Sequence, residues 1–206
     1  MCPAKAEPVA IAILAKAPVP GLAKTRLIPA LGEYGAAALQ ARLTAHAAAT
    51  ACTAAVGPVR LWTTPDIGHQ SFAALARQHA LALAQQPDGD LGIRMHAAVV
   101  AARGPALVIG SDCPALTPHH LRLAADWLRD GLDAVMLPAE DGGYVLIGLR
   151  QPRPELFLGM TWSTDRVAAE TRRRMAHLGL SWREPARLWD VDRPEDLPRL
   201  QVAGFR

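Results

Sequence analysis

Short apolar runs alternate with helix-like segments along the first two-thirds of the chain, and this alternation constrains the fold most. Val9–Lys16 is a continuous apolar run, and 106–111 (ALVIGS) is another. Strands that are apolar on both faces are typical of a parallel sheet covered by helices. Parallel neighbours need crossover connections, which form right-handed βαβ units. The sequence therefore predicts an α/β chain, a three-layer α/β/α sandwich around a mostly parallel mixed sheet.

The hydrophobic periodicity also predicts the individual elements. Strands are expected at 9–16, 59–64, 80–86, 106–111, 133–137 and 144–149, with an extended piece at 182–190. Helices are expected at 32–55, 70–79, 91–102, 117–129, 165–178 and 194–202. With 206 residues, half of them hydrophobic, and no linker or repeat, the chain suits one domain over 1–206. Residues 1–8 are expected to be a flexible tail.

Charge and cysteine content exclude several classes of protein. The formal net charge is only +3 and the basic residues are scattered, so no nucleic-acid partner is expected. The one tight basic run, 172–174, is interpreted as a solvated helix face. Three cysteines without a CxxC pair argue against a disulfide framework or a zinc site and favour a cytoplasmic location. The first apolar run is too short for a membrane span.

Ligands of open α/β sheets bind at the carboxyl ends of the strands, so the residues after each strand matter most. The first strand is followed by the loop AKAPVPGLAKTRL, residues 15–27. Its prolines and glycine keep it out of helix geometry, which leaves amides free to face an anion, and its lysines and arginine add positive charge. It lacks the glycine and lysine spacing of a P-loop. The predicted nucleotide-binding residues here are Lys16, Pro18, Gly21, Lys24, Thr25 and Arg26; the alternative is a solvated basic loop.

The third strand is followed by QQPDGDLGIRM, residues 85–95. Gly89 and Gly92 would let the backbone approach a flat ligand, and Arg94 begins a helix beside them. These three residues are predicted to border the nucleotide. The alternative is a plain turn in which Asp90 caps the helix.

Carboxylates follow two other strand ends. Asp112 lies in the sharp turn DCPALT, and Asp190 and Asp192 lie in WDVDRPEDL. Carboxylate oxygens suit Mg²⁺ or Mn²⁺ shared with phosphates, so these three aspartates are the predicted metal ligands. Cys113 offers a rival interpretation as a thiolate nucleophile, although a small buried thiol is the commoner case. Asp192 is also predicted to cap the last helix.

The segment AEDGGYVLIGL, residues 139–149, carries an acidic pair, two glycines and a tyrosine. Tyr144 could stack on an acceptor or hydrogen-bond to it, while the same residues are equally typical of a hairpin turn. The predicted acceptor-binding residues are Glu140, Asp141, Gly142, Gly143 and Tyr144, with Thr164 further along the chain.

Six motifs together resemble one bacterial family. They are AKAPVPGLAKTRL, QPDGDLGIRM, VIGSDCPALT, EDGGYVLIGL, TWSTDRV and WDVDRPEDL. In this order they are similar to the DUF2064 group, often named glycosyltransferase A or radical-SAM/selenodomain-associated transferase. The resemblance implies a GT-A, nucleotide-diphosphosugar transferase fold. Sugar-1-phosphate nucleotidyltransferases share this fold, as do molybdenum-cofactor guanylyltransferase and phospholactate guanylyltransferase.

The resemblance also implies roles for particular residues. The loop from Lys16 to Arg26 resembles a triphosphate loop, Asp112 resembles a metal-binding aspartate, and Asp190 or Asp192 resembles the second one. The chain departs from the family pattern in two places. The loop lacks the GGxGxR pattern of sugar nucleotidyltransferases, and the triplet Ser-Asp-Cys at 111–113 has only one aspartate of a DxD motif.

The leading hypothesis is a transferase that depends on Mg²⁺ or Mn²⁺ and uses a nucleotide or nucleotide sugar with a small-molecule acceptor. Lys24, Arg26 and Asp112 are the predicted catalytic residues. Nucleotidyl transfer and glycosyl transfer both fit these residues. A non-catalytic nucleotide-binding protein and a Cys113 hydrolase compete with this hypothesis. A homodimer is also considered, since Trp162 and Trp182 could serve the core or a dimer face.

Overall fold

A computed structural model describes residues 6–202, with side chains up to residue 200, and these residues form a seven-stranded mixed sheet. The strands are β1 Ala10–Lys16, β2 Val59–Thr64, β3 Ala82–Gln85, β4 Ala106–Gly110, β5 Ala134–Pro138, β6 Tyr144–Leu149 and β7 Trp182–Arg183. Their order is β3-β2-β1-β4-β6-β5-β7. Only β6 runs antiparallel to its neighbours among these strands; the other pairs are parallel.

Six α-helices connect or flank these strands within the described range. They are α1 Ile28–Ala54, α2 Gln70–His79, α3 Leu91–Ala102, α4 Pro118–Arg129, α5 Val167–His177 and α6 Leu197–Val202. Short 3₁₀ turns cover Thr25–Leu27, Pro154–Leu156 and Pro194–Asp196. Helix α1 is interrupted at Gly32, whose φ of 69° and ψ of 168° are not helical. Thr117 caps α4, as predicted, by accepting from the backbone of His120.

Apolar side chains pack on both faces of the sheet, which gives the three predicted layers. In β1, Ile11 and Ile13 face a core formed with α1, α2 and α4. Ala12, between them, faces a second core formed with α3 and α5. This alternation follows from the two-residue period of a strand, and it explains why the run is apolar throughout. The predicted α/β fold class is therefore confirmed.

Most predicted elements match the structure within two residues; the exceptions are the start of α1, predicted at residue 32 and observed at Ile28, and the segment that follows α5. The extended piece predicted over 182–190 pairs only as the short strand β7 and as one isolated bridge at Leu188. The last predicted helix begins as a 3₁₀ turn before α6. Of the predicted tail, residues 1–5 lie outside the described residues, and the carbonyl of Glu7 accepts from Arg129 Nε at 2.8 Å.

The connection order reverses at β1, and this reversal creates a place for a ligand. From β1 the chain moves outward through β2 to β3, then returns to place β4 on the other side of β1. The loops after β1 and β4 therefore leave the same edge of the sheet side by side. In open α/β sheets, ligands bind at this switch point.

The C-terminal segment folds back against the loop that follows β1. Val191 and Leu200 are buried with Leu27, Leu39 and Leu43 in a separate apolar cluster. The amide of Val191 donates to the carbonyl of Asp112 at 2.9 Å. This packing carries the residues on both sides of Val191 to the carboxyl ends of β1 and β4.

The basic run at 172–174 is not simply a solvated helix face. Arg174 is 16% exposed and donates to the carbonyls of Glu155, Leu158 and Gly159, so it holds that loop against α5. Only Arg173 is mainly exposed, and it pairs with Glu170. In the described range 6–202, none of the helices is both long and apolar enough to cross a membrane.

Candidate functional site

A cleft of about 540 Å³ opens at the carboxyl ends of β1 and β4. Eight of the residues predicted from the sequence line it: Lys16, Lys24, Thr25, Arg26, Arg94, Asp112, Tyr144 and Asp192. Ten predicted residues lie outside its lining: Pro18, Gly21, Gly89, Gly92, Glu140, Asp141, Gly142, Gly143, Thr164 and Asp190. The volume falls in the range of small-molecule sites.

Lys24 and Asp112 form the central ion pair of the cleft. Lys24 Nζ lies 2.9 Å from Asp112 Oδ2 and also donates to the carbonyl of Val191. The Lys24 side chain is 5% exposed, whereas that of Asp112 is 44% exposed. Lys24 also has a left-handed backbone, with φ 48° and ψ 45°, which costs about 1–2 kcal/mol in a residue with a Cβ. Such strain clusters at functional sites because the surroundings must hold it in place.

A second ion pair joins Arg26 to Asp192 at the rim of the cleft. Both side chains are well exposed, so water screens this pair more than the first. The prediction that Asp192 caps the last helix is wrong. Asp196 instead accepts from the amides of Asp192 and Arg193, which leaves the Asp192 carboxylate free to turn towards Arg26.

A buried polar chain supports Asp112 from behind. Gln40 Nε2 donates to Ser111 Oγ at 3.0 Å, and Ser111 Oγ donates to Asp112 Oδ1 at 3.1 Å. Gln40 and Ser111 are both buried. One oxygen of the Asp112 carboxylate therefore accepts a hydrogen bond from the Ser111 hydroxyl, while the other contacts Lys24 Nζ. Both contacts fix the orientation of the Asp112 side chain.

Gln86 and Arg94 form another polar group in the cleft. Gln86 Nε2 donates to the carbonyls of Ala15, at 3.1 Å, and Trp62, at 2.8 Å. Gln86 Oε1 accepts from Arg94 Nη1 at 3.3 Å. Gln86 thus bridges the ends of β1 and β2 and holds the guanidinium of α3 above them.

The opening loop uses several of its amides internally, contrary to the expectation that they stay free for an anion. The amides of Val19, Leu22 and Ala23 donate to carbonyls within the loop, and the amide of Ala17 donates to the carbonyl of Thr64 in β2. The tight turns that the prolines and Gly21 impose bring these groups within reach of one another. Positive charge in this part of the cleft therefore comes from the side chains of the loop.

The glycines after β3 serve packing. A Cβ on Gly92 would lie 2.6 Å from the carbonyl oxygen of Phe157 and 2.8 Å from the ring of Trp162. A Cβ on Gly89 would lie 2.6 Å from Ile93 Cδ1. Asp90 caps α3 by accepting from the amide of Ile93, as the alternative interpretation of this turn required. Only Arg94 of the three residues predicted here reaches the cleft.

The acidic turn after β5 points mainly away from the cleft. Glu140 forms a two-bond pair with Arg199, which lowers the pKa of the Glu140 carboxyl, and Asp141 accepts from the amide of Gly143. Thr164 donates to the carbonyl of Thr161. Tyr144 alone of the predicted acceptor residues lines the cleft, and burial raises the pKa of its hydroxyl.

Asp190 lies behind the cleft close to other carboxylates. Burial, followed by the carboxylates of Asp141 and Asp112, raises the pKa of Asp190 to about 6, although Lys24 opposes the rise. Among the described residues, no group of three or more histidine, cysteine, aspartate or glutamate side chains has the geometry of a metal site.

Cys113 lies beside Asp112 but is unsuited to nucleophilic attack. It is 5% exposed, and burial raises the pKa of its thiol to about 12. A reactive cysteine needs a lowered pKa and access to its substrate. The structure therefore favours the interpretation of a small buried thiol.

Sequence reasoning missed Gln40, Ser111 and Gln86. Ser111 and Gln86 each directly follow a strand, so the strand-end rule could have identified them. Gln40 gave a weaker signal, a polar side chain at a buried position of an alanine-rich helix.

Structural comparison finds the same architecture in transferases. A protein from Desulfovibrio desulfuricans, provisionally designated a nucleotide-diphospho-sugar transferase, is 28% identical with a TM-score of 0.81, over 90% of this chain and 82% of its own. CMP:2-keto-3-deoxy-manno-octonic acid synthetase, solved with CTP, gives a TM-score of 0.64 at 14% identity, over 97% and 99%. Glucosyl-3-phosphoglycerate synthase from Mycobacterium tuberculosis, solved with Mn²⁺ and UDP, gives 0.58 at 10% identity, over 96% and 76%.

These neighbours place the chain in the GT-A, nucleotide-diphosphosugar transferase fold, which the motif resemblance implied. No curated protein matches the sequence. One family profile matches residues 45–164, more than half of the chain, and is described as an uncharacterized protein conserved in bacteria (DUF2064). The chain belongs to the DUF2064 family.

Proposed function

We propose that this protein is a metal-dependent transferase that acts at the diphosphate of a nucleotide. The observation that carries the proposal is the meeting of Lys24, Arg26, Asp112 and Asp192 in one cleft at the switch point of the sheet. The transferase class rests on the structural relatives, which include nucleotidyltransferases and a glycosyltransferase. A cytoplasmic location and a homodimer stay predictions.

The cations of the opening loop would bind the phosphates. Lys24 is nearly buried and held between Asp112 and the carbonyl of Val191, so its charge is presented from a fixed position. Arg26 lies at the exposed rim, where it can reach the outer phosphates. Charges held in fixed positions stabilise developing negative charge better than mobile ones do.

The donor set fits Mg²⁺ or Mn²⁺. Asp112 and Asp192 offer carboxylate oxygens on the cleft surface, and the carboxylates of Asp141 and Asp112 add to the effect of burial in raising the pKa of Asp190. Mg²⁺ is usually held by one or two carboxylates together with substrate phosphates, so the small set of carboxylates here suits it. Asp112 and Asp192 would hold the ion; Asp190 would lie behind them. When bound, the ion neutralises charge on the phosphates and on the leaving group.

Two reactions fit this cleft. In nucleotidyl transfer, an oxygen of a phosphorylated acceptor attacks the α-phosphorus, the bond to the β-phosphate oxygen breaks, and pyrophosphate leaves. In glycosyl transfer, an acceptor hydroxyl attacks the anomeric carbon, the bond from that carbon to the diphosphate oxygen breaks, and a nucleoside diphosphate leaves while the hydroxyl proton passes to water or to the leaving phosphate. The basic loop and the single aspartate at the end of β4 favour the first reaction. The relative at 28% identity supports the second.

The test is a turnover screen that identifies the leaving group. Nucleoside triphosphates with phosphorylated acceptors are compared with nucleotide sugars, with Mg²⁺ and with chelator. We expect Mg²⁺-dependent release of pyrophosphate or nucleoside diphosphate. Asp112→Asn should lower the metal-dependent rate at least tenfold, because even the outer partners of metal ligands contribute roughly that much. Asp130→Asn, at an exposed position after α4, is the matched control and should leave the rate unchanged.

Two results would count against the proposal. Nucleotide binding that is equal with Mg²⁺ and with chelator, without turnover, would favour a non-catalytic binding protein. Turnover that survives chelation but is abolished in Cys113→Ser would favour the hydrolase alternative.

A further inference from the structure

The cleft has a second polar end that phosphate and metal contacts leave unused. Gln86 bridges β1 and β2, whereas Asp112 follows β4, and β1 lies between β2 and β4 in the sheet. Gln86 and Asp112 therefore lie on opposite sides of β1 and line the same cleft. A nucleotide with its phosphates at Lys24 and its metal ion at Asp112 can extend across β1 towards Gln86 and Arg94.

The backbone fixes the orientation of the Gln86 amide. Nε2 donates to two carbonyl oxygens, those of Ala15 and Trp62. A flipped amide would set Oε1 against both of these acceptors, so the nitrogen must face them. Gln86 is 7% exposed, which excludes water as a substitute partner for most of its surface. Oε1 is therefore the atom on the Arg94 side, and a carbonyl oxygen that accepts one bond keeps a second lone pair.

Arg94 has more donors than its protein partners use. Among the described residues, its guanidinium makes one hydrogen bond, to Gln86, and forms no ion pair with a carboxylate. Its Nε is buried without a hydrogen-bond partner. A buried donor left unpaired is costly and calls for a physical explanation. Arg94 lines the cleft, so the terminal nitrogens of its guanidinium have donors available to an acceptor on a ligand there.

The Gln86 and Arg94 side chains suit the edge of a nucleobase better than they suit a phosphate. Phosphate oxygens only accept, so they would meet the Gln86 Oε1 acceptor with repulsion. A lactam edge, the C=O and N–H of guanine or uracil, offers a carbonyl with two lone pairs to the guanidinium and an N–H to Gln86. Adenine and cytosine offer an amine and a ring nitrogen at that edge, and the nitrogen accepts only one guanidinium N–H.

We propose that Arg94 and Gln86 read the nucleobase and favour a lactam edge, that of guanine or uracil, over adenine or cytosine. Arg94 is the specificity residue that donates to the base carbonyl. Gln86 accepts from the base N–H and positions Arg94. The inference rests on the proposed function, because it needs the phosphates of the nucleotide at the other end of the cleft.

Inosine triphosphate and ATP provide the sharpest test, because they differ at this edge alone. Calorimetric titration of the full chain with Mg²⁺ should give about tenfold tighter binding of inosine triphosphate than of ATP. GTP should match inosine triphosphate. Comparison of GTP with UTP then shows whether the cleft prefers a purine or a pyrimidine. Comparison of UTP with CTP tests the same edge on a pyrimidine. Wild-type binding that is equal for inosine triphosphate and ATP, or tighter for ATP, overturns the inference.

Two variants of Arg94 distinguish hydrogen bonding to the base from an effect of positive charge alone. Arg94→Met and Arg94→Lys should each weaken binding of inosine triphosphate about tenfold and leave ATP within about twofold, because Lys lacks the planar set of donors. Arg122→Met, at an exposed position of α4, is the control, and circular dichroism checks each fold.

Each further outcome is decisive. Arg94→Lys that keeps the preference for inosine triphosphate over ATP would show a charge effect and overturn the inference. Binding of all the nucleotides without preference overturns it while the proposed function stands. Absence of binding for every nucleotide with Mg²⁺ overturns both.

Discussion

Lys24 Nζ lies 2.9 Å from Asp112 Oδ2, so the loop after β1 and the turn after β4 are joined by one ion pair. Lys24 comes from the basic loop and Asp112 from the turn after β4, yet the pair holds both at the centre of one cleft. Without a ligand, the lysine neutralises the aspartate. A metal-bound nucleotide would supply negatively charged phosphates to Lys24 in place of Asp112. It would also supply a metal cation to Asp112 in place of Lys24.

The two cations of the loop should contribute unequally to nucleotide binding. Lys24→Met should weaken triphosphate binding by about 10- to 100-fold, because its side chain is 5% exposed and its charge is poorly screened. Arg26→Met should cost less than about fivefold, because its side chain is 61% exposed. Calorimetry with a nucleoside triphosphate and Mg²⁺ measures both. A larger loss in Arg26→Met than in Lys24→Met would contradict this order.

Cys113 should behave as a structural thiol. Burial raises its pKa to about 12, so almost none of it is thiolate at pH 8. Iodoacetamide should therefore leave Cys113 unmodified in the folded protein and alkylate it in urea, as read by peptide mass spectrometry. Cys113→Ala should keep full activity. Alkylation in the folded state at the rate of a free thiol would refute this prediction.

Two glycines with similar φ angles should respond differently to a Cβ. Gly142 has φ 91°, and its Cβ would lie 2.1 Å from the carbonyl oxygen of Asp165. Gly131 has φ 102°, with nothing within 4 Å of its Cβ. Gly131→Ala should therefore cost only the backbone strain, about 1–2 kcal/mol, and Gly142→Ala about 3 kcal/mol or more. Urea unfolding measures both, and equal losses would mean that the turn relaxes.

Asp133 should make stability depend on acid pH. Its carboxylate accepts from the amide of Ser181 at 3.0 Å, from the Ser181 hydroxyl at 2.8 Å and from Arg150 at 3.0 Å, and these contacts lower its pKa. A lowered pKa stabilises the folded state above the unfolded pKa, near 4, and the stabilisation is lost as pH falls through the folded value. Asp133→Asn should therefore cost about 1–2 kcal/mol at pH 7.

The pH profile distinguishes the charge from the shape of Asp133. Urea unfolding of wild type and Asp133→Asn at several pH values should give a difference that shrinks as the pH falls below about 4. Asp88→Asn, at an exposed position, is the control and should show little difference at any pH. A constant difference for Asp133→Asn at all pH values would assign the loss to packing.

The spans of β2, α2, α3 and β6 could be predicted to the residue, because hydrophobic period and turn residues are local properties of a sequence. The segment that follows α5 could not. Residues 182–190 have the composition of a strand but pair only briefly, since their place is set by Val191, which packs with Leu27 and Leu43 far away in the chain. Packing between distant segments overrides local propensity there.

The sequence by itself determined the α/β class, the family and the positions after strands where polar residues gather, since alternating apolar runs and short motifs are readable locally. Only the tertiary structure decided which of these residues share a cleft. It paired Arg26 with Asp192 across 166 positions, turned Glu140 away to Arg199, and placed Gln86 beside Arg94. Such pairings depend on how helices pack on the sheet, because side-chain orientation at a strand end follows from long-range burial that no local pattern encodes.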